Sequence, residues 1–201
     1  MKWDFNTAQP ARKSAKHWIS TIRFSVAKVR LKSWITVSAL LLLMSITSVC
    51  YAQADGLTDT EKSWLSYMRE EEKLARDVYL FLYDKWQSRI FKNISGSEQT
   101  HMDAIKTLLD RYGIPDPAAG KGPGVFTNLE LQALYNELIL DGSVSLVDAL
   151  HVGIFIEETD IDDLEAGIAS TTHKDIKTVY SNLLGGSLNH LEAFNSNLAR
   201  Y

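Results

Sequence analysis

From Asp55 to the end of this 201-residue chain, apolar residues recur at alternating steps of three and four. That spacing turns one face of an α-helix inward. No stretch alternates apolar and polar residues as a half-buried strand would. The pattern therefore confines the chain to an all-α fold. A first seam runs through Leu65, Met68, Glu72, Ala75, Tyr79, Leu82 and Trp86. Thr58, with Glu61 three residues on, predicts a capping box at its start. A break is expected around residues 92–96. The second helix is expected from Ser95, with Glu98, His101, Ile105, Leu108 and Tyr112 on one face, stopping at Gly113 before Pro115. Residues 113–127 are loop-like, rich in Gly, Pro and Ala. A short helix over 128–140 follows and ends at Asp141-Gly142. A third long helix spans about 143–169, with Leu146, Leu150, Gly153 or Ile154, Glu157, Ile161, Leu164 and Ile168 inward. A fourth spans about 172–198, with Ile176, Tyr180, Leu183, Ser187, His190, Phe194 and Asn197 inward. Gly185-Gly186 in its middle cost about 1 kcal/mol each relative to Ala and let a neighbouring helix or a site come close.

Ahead of this helical part the composition changes. Residues 1–34 hold eight Lys/Arg and one acid, Asp4, while the run from Ser33 to Ala54 carries no charge. A basic stretch, an apolar stretch and Ala52-Gln53-Ala54 follow the order of a secretory signal, cleaved after Ala54. The uncut run is also long enough to anchor the chain in a membrane, and in both cases the basic flank places the body outside the cytoplasm. Thr47-Ser48-Val49-Cys50 also offers a lipoprotein-type signal. The domain division is thus 1–54 as signal or anchor and 55–201 as the folded domain, exported to the periplasm or beyond. Residues 55–201 hold 13 Lys/Arg and 24 acids, a net charge of −11. That balance argues against a nucleic-acid partner, which needs basic surface. The single cysteine, Cys50, excludes an intrachain disulfide and any Cys-rich metal site.

Each long helix sets a metal-capable side chain in its apolar stripe: Glu72 in the first, Glu98 and His101 in the second, Glu157 with Asp160 one turn on in the third, His190 in the fourth. Buried unpaired carboxylates cost several kcal/mol each and need a compensating cation. Lys73 and Arg76 adjoin the first seam without lying on it. Carboxylates with imidazoles suit iron, manganese or zinc. Glu98 and His101, three apart, project from one face about 4.5 Å apart along the axis and can share an ion or bridge two. Each residue also has a plainer reading. Ser95-Gly96-Ser97-Glu98 is a capping box, Glu70-Glu71-Glu72 is a charge run of the solvated kind, and a seam histidine is often a satisfied core residue. The coincidence of four helices weighs toward metal. His151 and His173 read as surface residues, and Trp64 and Trp86 as packing residues.

Glu72-Lys73-Leu74-Ala75-Arg76-Asp77-Val78-Tyr79 resembles the first-helix pattern of the ferritin-like di-iron superfamily, in its rubrerythrin-like branch. In that pattern a ligand Glu is followed by Ala, Arg and Tyr at offsets three, four and seven. Ser97-Glu98-Gln99-Thr100-His101 is similar to the second-helix Glu-x-x-His. The resemblance covers residues 57–201, nearest to an uncharacterised prokaryotic ferritin-like domain family. It implies an antiparallel four-helix bundle whose second-to-third connection is long and contains the extra short helix. It carries ligand roles onto Glu72, Glu98, His101, Glu157 (or its neighbour Glu158) and His190, with Arg76 and Tyr79 as supporting hydrogen-bond partners. Ser187 stands where the fourth-helix motif has Glu, and Asp160 is a substitute carboxylate. One or two ions per chain follow: iron, or else manganese or zinc. The implied chemistry is ferroxidase or peroxidase-type turnover with oxygen or peroxide. No Cys-x-x-Cys pair is present, so any redox cycle would draw on an external reductant. The alternatives are a helical module that binds a partner without catalysis, and a metal-sequestering protein without turnover.

Overall fold

The computed structural model describes residues 56–201. The signal or anchor reading of 1–54, with Cys50 and the cleavage point, lies outside the described residues. Five helices and no strand make up the described part: α1 (Asp59–Trp86), α2 (Arg89–Arg111), α3 (Leu129–Asp141), α4 (Leu146–Ser170) and α5 (Lys174–Leu198). No helix among the described residues is long and apolar enough to cross a membrane.

Helix α1 begins as its sequence predicts. The Thr58 hydroxyl accepts from Glu61 N–H while the Glu61 carboxylate accepts from Thr58 N–H, satisfying two orphan donors. Its stop differs from expectation. Gln87 turns left-handed at φ 54° and its N–H returns to the Tyr83 carbonyl. Only Gln87 and Ser88 separate α1 from α2, so the expected break at 92–96 does not exist. Ile90, Phe91 and Ile94 continue the buried face of α2 across it, and their burial overrides the weak helix preference of Asn93 and Gly96.

Contacts define how the four long helices pair. Glu72 meets His101 and Arg76 meets Gln99 between α1 and α2. Asp160 meets Ser187 between α4 and α5, where Gly153 and Phe194 also pack together. Tyr79 meets Glu157 and Tyr67 meets Asp163 between α1 and α4. His190 meets Ser97 between α2 and α5, where the Phe91 ring also lies tilted against Phe194. In every pair, contacts that climb one helix descend the other, so each pair runs in opposite directions. At Gly153 an added Cβ would sit 2.5 Å from the Phe194 ring; only a glycine admits this approach.

Two apolar clusters fill the interior. One gathers Val78, Tyr79, Phe91, Leu150 and Phe194, and the other Leu65, Met68, Ile105, Leu164 and Tyr180. The polar centre described below includes Glu72, Glu98, His101, Glu157 and His190, none of which belongs to either cluster. On α4 the stripe turns slightly from the expected one: Asp160, Asp163 and Gly167 are buried, while Ile161 and Ile168 are only half-buried.

The loop 113–127 is fastened to α1 by charged groups, and this corrects the placement of Lys73 off the inward face. Arg69 forms a fork with Asp116 and donates to the Met102 carbonyl. Lys73, 1% exposed, donates to Asp77 and to the Gly122 carbonyl and lies 4.5 Å from the Phe126 ring centre. Asp77 also accepts from Arg76 and from Gly124 N–H. Glu70 accepts from the N–H groups of Thr127 and Asn128 at the start of α3, where a carboxylate is favoured.

Candidate metal centre

The run Glu70-Glu71-Glu72 is not a solvated face: all three carboxylates are buried, and each serves a different place. Glu70 belongs to the loop clamp. Glu72 points between the helices at His101, with Oε2 at 3.2 Å from Nδ1. Glu98 lies one turn before His101 on α2. Ser95 donates to the Lys92 carbonyl inside the helix, so Glu98 caps nothing.

Glu98 is the hub. Its Oε2 lies 2.9 Å from His101 Nδ1 and its Oε1 lies 2.9 Å from His190 Nδ1. Glu157 Oε2 stands 3.4 Å from the same His190 nitrogen. Two ligand-competent groups result, Glu72–Glu98–His101 and Glu98–Glu157–His190, each with its donor atoms within 4.8 Å of one another. The two imidazoles stack with ring centres 5.6 Å apart. On the other edge, His190 Nε2 sits 2.9 Å from Ser97 Oγ, which leaves Nδ1 turned to the carboxylates.

Neighbours hold these groups in place. Tyr79 donates to Glu157 Oε1 at 2.6 Å. Ser187 donates to Asp160 Oδ2 at 2.5 Å, so the serine at the motif's Glu position steadies the Asp160 carboxylate. Gly186 faces His101: an added Cβ would lie 2.6 Å from Nε2, whereas Gly185 faces open space. Asp160 and Glu71 extend the acidic region toward Asp163 and Tyr67.

The electrostatics follow from this crowding. Burial raises the Glu72 carboxyl well above its ordinary range, and Asp160 and Glu98 add to it. Burial likewise lifts Asp160 to about 8, despite the Ser187 hydrogen bond, with Glu157 and Glu98 adding repulsion. Glu157 rises to about 7 because its burial outweighs the help of His190. Glu98 goes the other way: burial opposes its charge, but His101 and His190 prevail and hold it low. His190 is pushed up to about 9, its burial overcome by Glu157 and Glu98.

Among the described residues, no Lys or Arg forms an ion pair with Glu71, Glu72, Glu98, Glu157, Asp160 or Asp163. Four atoms of the centre, Glu72 Oε1, Glu98 Oε1, Asp160 Oδ1 and His190 Nδ1, are buried without a hydrogen bond. Two of these, Glu98 Oε1 and His190 Nδ1, form an ion pair at 2.9 Å, which leaves the Glu72 and Asp160 oxygens without any partner. Buried carboxylate oxygens without a partner beside two imidazoles, gathered into two ligand-competent groups, are a donor set that fits a cation.

Two expected site residues stand apart. Glu158 is exposed on the far side of α4 from Glu157, since consecutive helical residues diverge. Arg76 pairs with Asp77 and Gln99 and touches no ligand carboxylate. His151 and His173 are half-buried rather than on the surface; His173 stands at the N-cap position of α5 without a capping side-chain bond and lies edge-on to Tyr112. Sequence reasoning missed Glu71, Asp163 and Tyr67. Asp163 is three residues beyond Asp160, a spacing that could have placed it on the same face.

Residues 61–200 match the uncharacterized protein domain DUF2202, and the chain belongs to this family. It is 55% identical over 145 residues to the uncharacterized protein MJ0754 of Methanocaldococcus jannaschii, covering 72% of this chain and 78% of that protein. The crystal structure of MJ0754 is similar, with a TM-score of 0.71 over 72% of this chain and 83% of that one. A DUF305 fragment from Deinococcus radiodurans shares the helical fold, with a TM-score of 0.54 at 14% identity over 73% of this chain and 99% of the fragment.

Proposed function

We propose that the four long helices form an antiparallel four-helix bundle of the ferritin-like, rubrerythrin-like type, built to hold two transition-metal ions. Glu72 and His101 would bind one ion and Glu157 and His190 the other, with Glu98 bridging both. Iron is the metal the donor set suits best for redox work; manganese or zinc fits the same oxygen and nitrogen donors. The observation that carries this reading is Glu98, whose two oxygens each face a different imidazole at 2.9 Å. Dinuclear carboxylate sites in helix bundles take a Glu from each of two helices and a Glu-x-x-His from each of the other two; with Ser187 in place of one Glu, this centre offers three Glu and two His for the two positions.

A bound iron pair would supply electron transfer to oxygen or peroxide, and the cycle would use an external reductant. The chain's own residues have definite tasks. Tyr79 orients Glu157, and Ser97 fixes the ring of His190. Ser187 holds Asp160 beside the centre as a reserve carboxylate. The buried apolar clusters on either side limit water. Export of the domain by the 1–54 segment is part of the same proposal, supported by its basic, apolar and Ala-x-Ala order.

The test is bound metal, measured by plasma mass spectrometry on the chain purified without chelator and again after anaerobic iron(II) loading. About two ions per chain are expected, falling to none in the Glu98→Ala/His190→Ala double variant. Metal without oxygen or peroxide consumption would favour sequestration over turnover. No metal in either preparation would leave a helical interaction module and overturn the reading.

A further inference from the structure

Helix α3 is buried on one side only. Leu131 and Leu138 face the interior, while Leu129, Ala133, Asn136 and Leu140 are all exposed. Their steps of four, three and four set them in one line on the side away from the core. Leu129 is 80% exposed, Leu140 70%, and Val144, just past the helix end, 75%. Single exposed apolar residues are ordinary; an aligned row of them rimmed by polar groups marks an interaction surface.

The rim is of one sign. Glu130, Glu137 and Asp141, at steps of seven and four, form a second line along one flank of the first. Among the described residues no Lys or Arg pairs with any of the three. The chain carries no Lys or Arg from 122 to 173, a stretch that holds ten acids. Asp141 closes α3, whose last turn has no basic residue, although a helix C-terminus favours a cation. Burial raises the Asp141 carboxyl, and Glu137 and Asp148 add repulsion.

We propose that this face of α3 docks a basic amphipathic helix of a partner protein. The partner's apolar side chains, at steps of three and four, cover Leu129, Leu140 and Val144, and its flanking Lys or Arg residues meet Glu130, Glu137 and Asp141. Charge selects this occupant. An anionic membrane surface attracts basic segments and is repelled by these acids, and a second copy of the chain brings the same acidic flank to the contact. The inference rests on α3 alone and is independent of the metal centre.

The probe is a synthetic helical peptide of about 18 residues, long enough to hold a helix in water, with Leu at three–four spacing and Lys along one flank. Its fluorescein-labelled form is titrated with the full chain and read by anisotropy. Saturable binding is expected, weaker at about 0.5 M than at about 0.15 M salt, and absent for the same peptide with Glu in place of Lys. Affinity should fall about tenfold or more in Leu129→Gln/Leu140→Gln, which removes the two most exposed leucines of the line. Glu130→Gln/Glu137→Gln should weaken binding less and flatten its salt dependence. Leu188→Gln, which changes a half-exposed leucine on α5, should leave the affinity as it is. Lack of saturable binding by the wild-type chain overturns the proposal. So does an affinity unchanged in Leu129→Gln/Leu140→Gln with helicity intact, or an equal loss in Leu188→Gln. Binding to phosphatidylserine vesicles, or concentration-dependent dimerisation, that is lost in Leu129→Gln/Leu140→Gln while the peptide fails to bind would assign the face to a membrane or to a second copy and overturn it as well.

Discussion

Helix α1 buries charge in two places, and the two are opposite in kind. Under the loop 113–127, each charge meets its counterpart: Arg69 with Asp116, Lys73 and Arg76 with Asp77, Glu70 with two backbone N–H groups. On another face of the same helix, Glu71 and Glu72 join Glu98, Glu157, Asp160 and Asp163, and among the described residues the two imidazoles are the only cationic groups paired with them. A completed set of ion pairs leaves no charge uncompensated, and removing one partner from it is costly. An uncompleted one is a liability for the bare chain, so its persistence points to a cation supplied from outside. The comparison separates structural burial of charge from burial of charge for binding.

The comparison breaks most visibly by removing one acid from each region. Asp77→Ala strips Lys73, Arg76 and Gly124 N–H of their shared partner at once. It is expected to cost about 3–5 kcal/mol, read as a lower midpoint in chemical denaturation. Glu72→Gln in chelator-treated protein is expected to do the reverse and stabilise by about 1–2 kcal/mol, while metal binding collapses. A loss of stability at both sites alike would erase the distinction.

Adjacent glycines sharpen it next. Gly186→Ala would drive a Cβ to 2.6 Å from His101 Nε2 and displace a proposed ligand, lowering metal affinity about 10–100-fold in a competition titration. Gly185→Ala meets open space and should raise stability by about 0.5–1 kcal/mol with metal affinity unchanged. Tyr79→Phe removes the donor that holds Glu157 and should weaken binding by about tenfold, the lower end of such supporting effects.

The mildest effect is in pH. Asp160 and His190 both hold more protons folded than unfolded, Asp160 between pH 3.8 and about 8 and His190 between pH 6.5 and about 9. A state that binds more protons loses stability as pH rises. Metal-free protein should therefore lose thermal stability from pH 6.5 to 8, where both groups contribute. Metal-loaded protein, with its carboxylates already ionised against the cation, should show a flatter profile.

Much of the fold was legible because helical periodicity is a local signal. The capping box at Thr58 and the α5 stripe from Ile176 to Phe194 needed only the spacing of neighbours. The start of α2 was not legible, because tertiary burial of Ile90, Phe91 and Ile94 carries the helix through Asn93 and Gly96. Of the site, Glu72, Glu98, His101, Glu157 and His190 could be picked out as polar residues inside apolar stripes. Lys73 and Glu70 could not be assigned, because the loop that buries them lies about 50 residues away in sequence. Asp77 was missed for the same reason. Glu71 and Asp163 escaped notice because a charge run on a helix ordinarily faces water.

The cation's place between the helices decides between these readings. Crystals of the manganese(II)-loaded protein, measured by anomalous diffraction, test it most directly. The account predicts two peaks on either side of the Glu98 carboxylate, one against Glu72 and His101 Nδ1 and the other against Glu157 and His190 Nδ1, about 3.5–4 Å apart. Loaded crystals with no peak at Glu98, and ordered hydrogen bonds in its place, would contradict it.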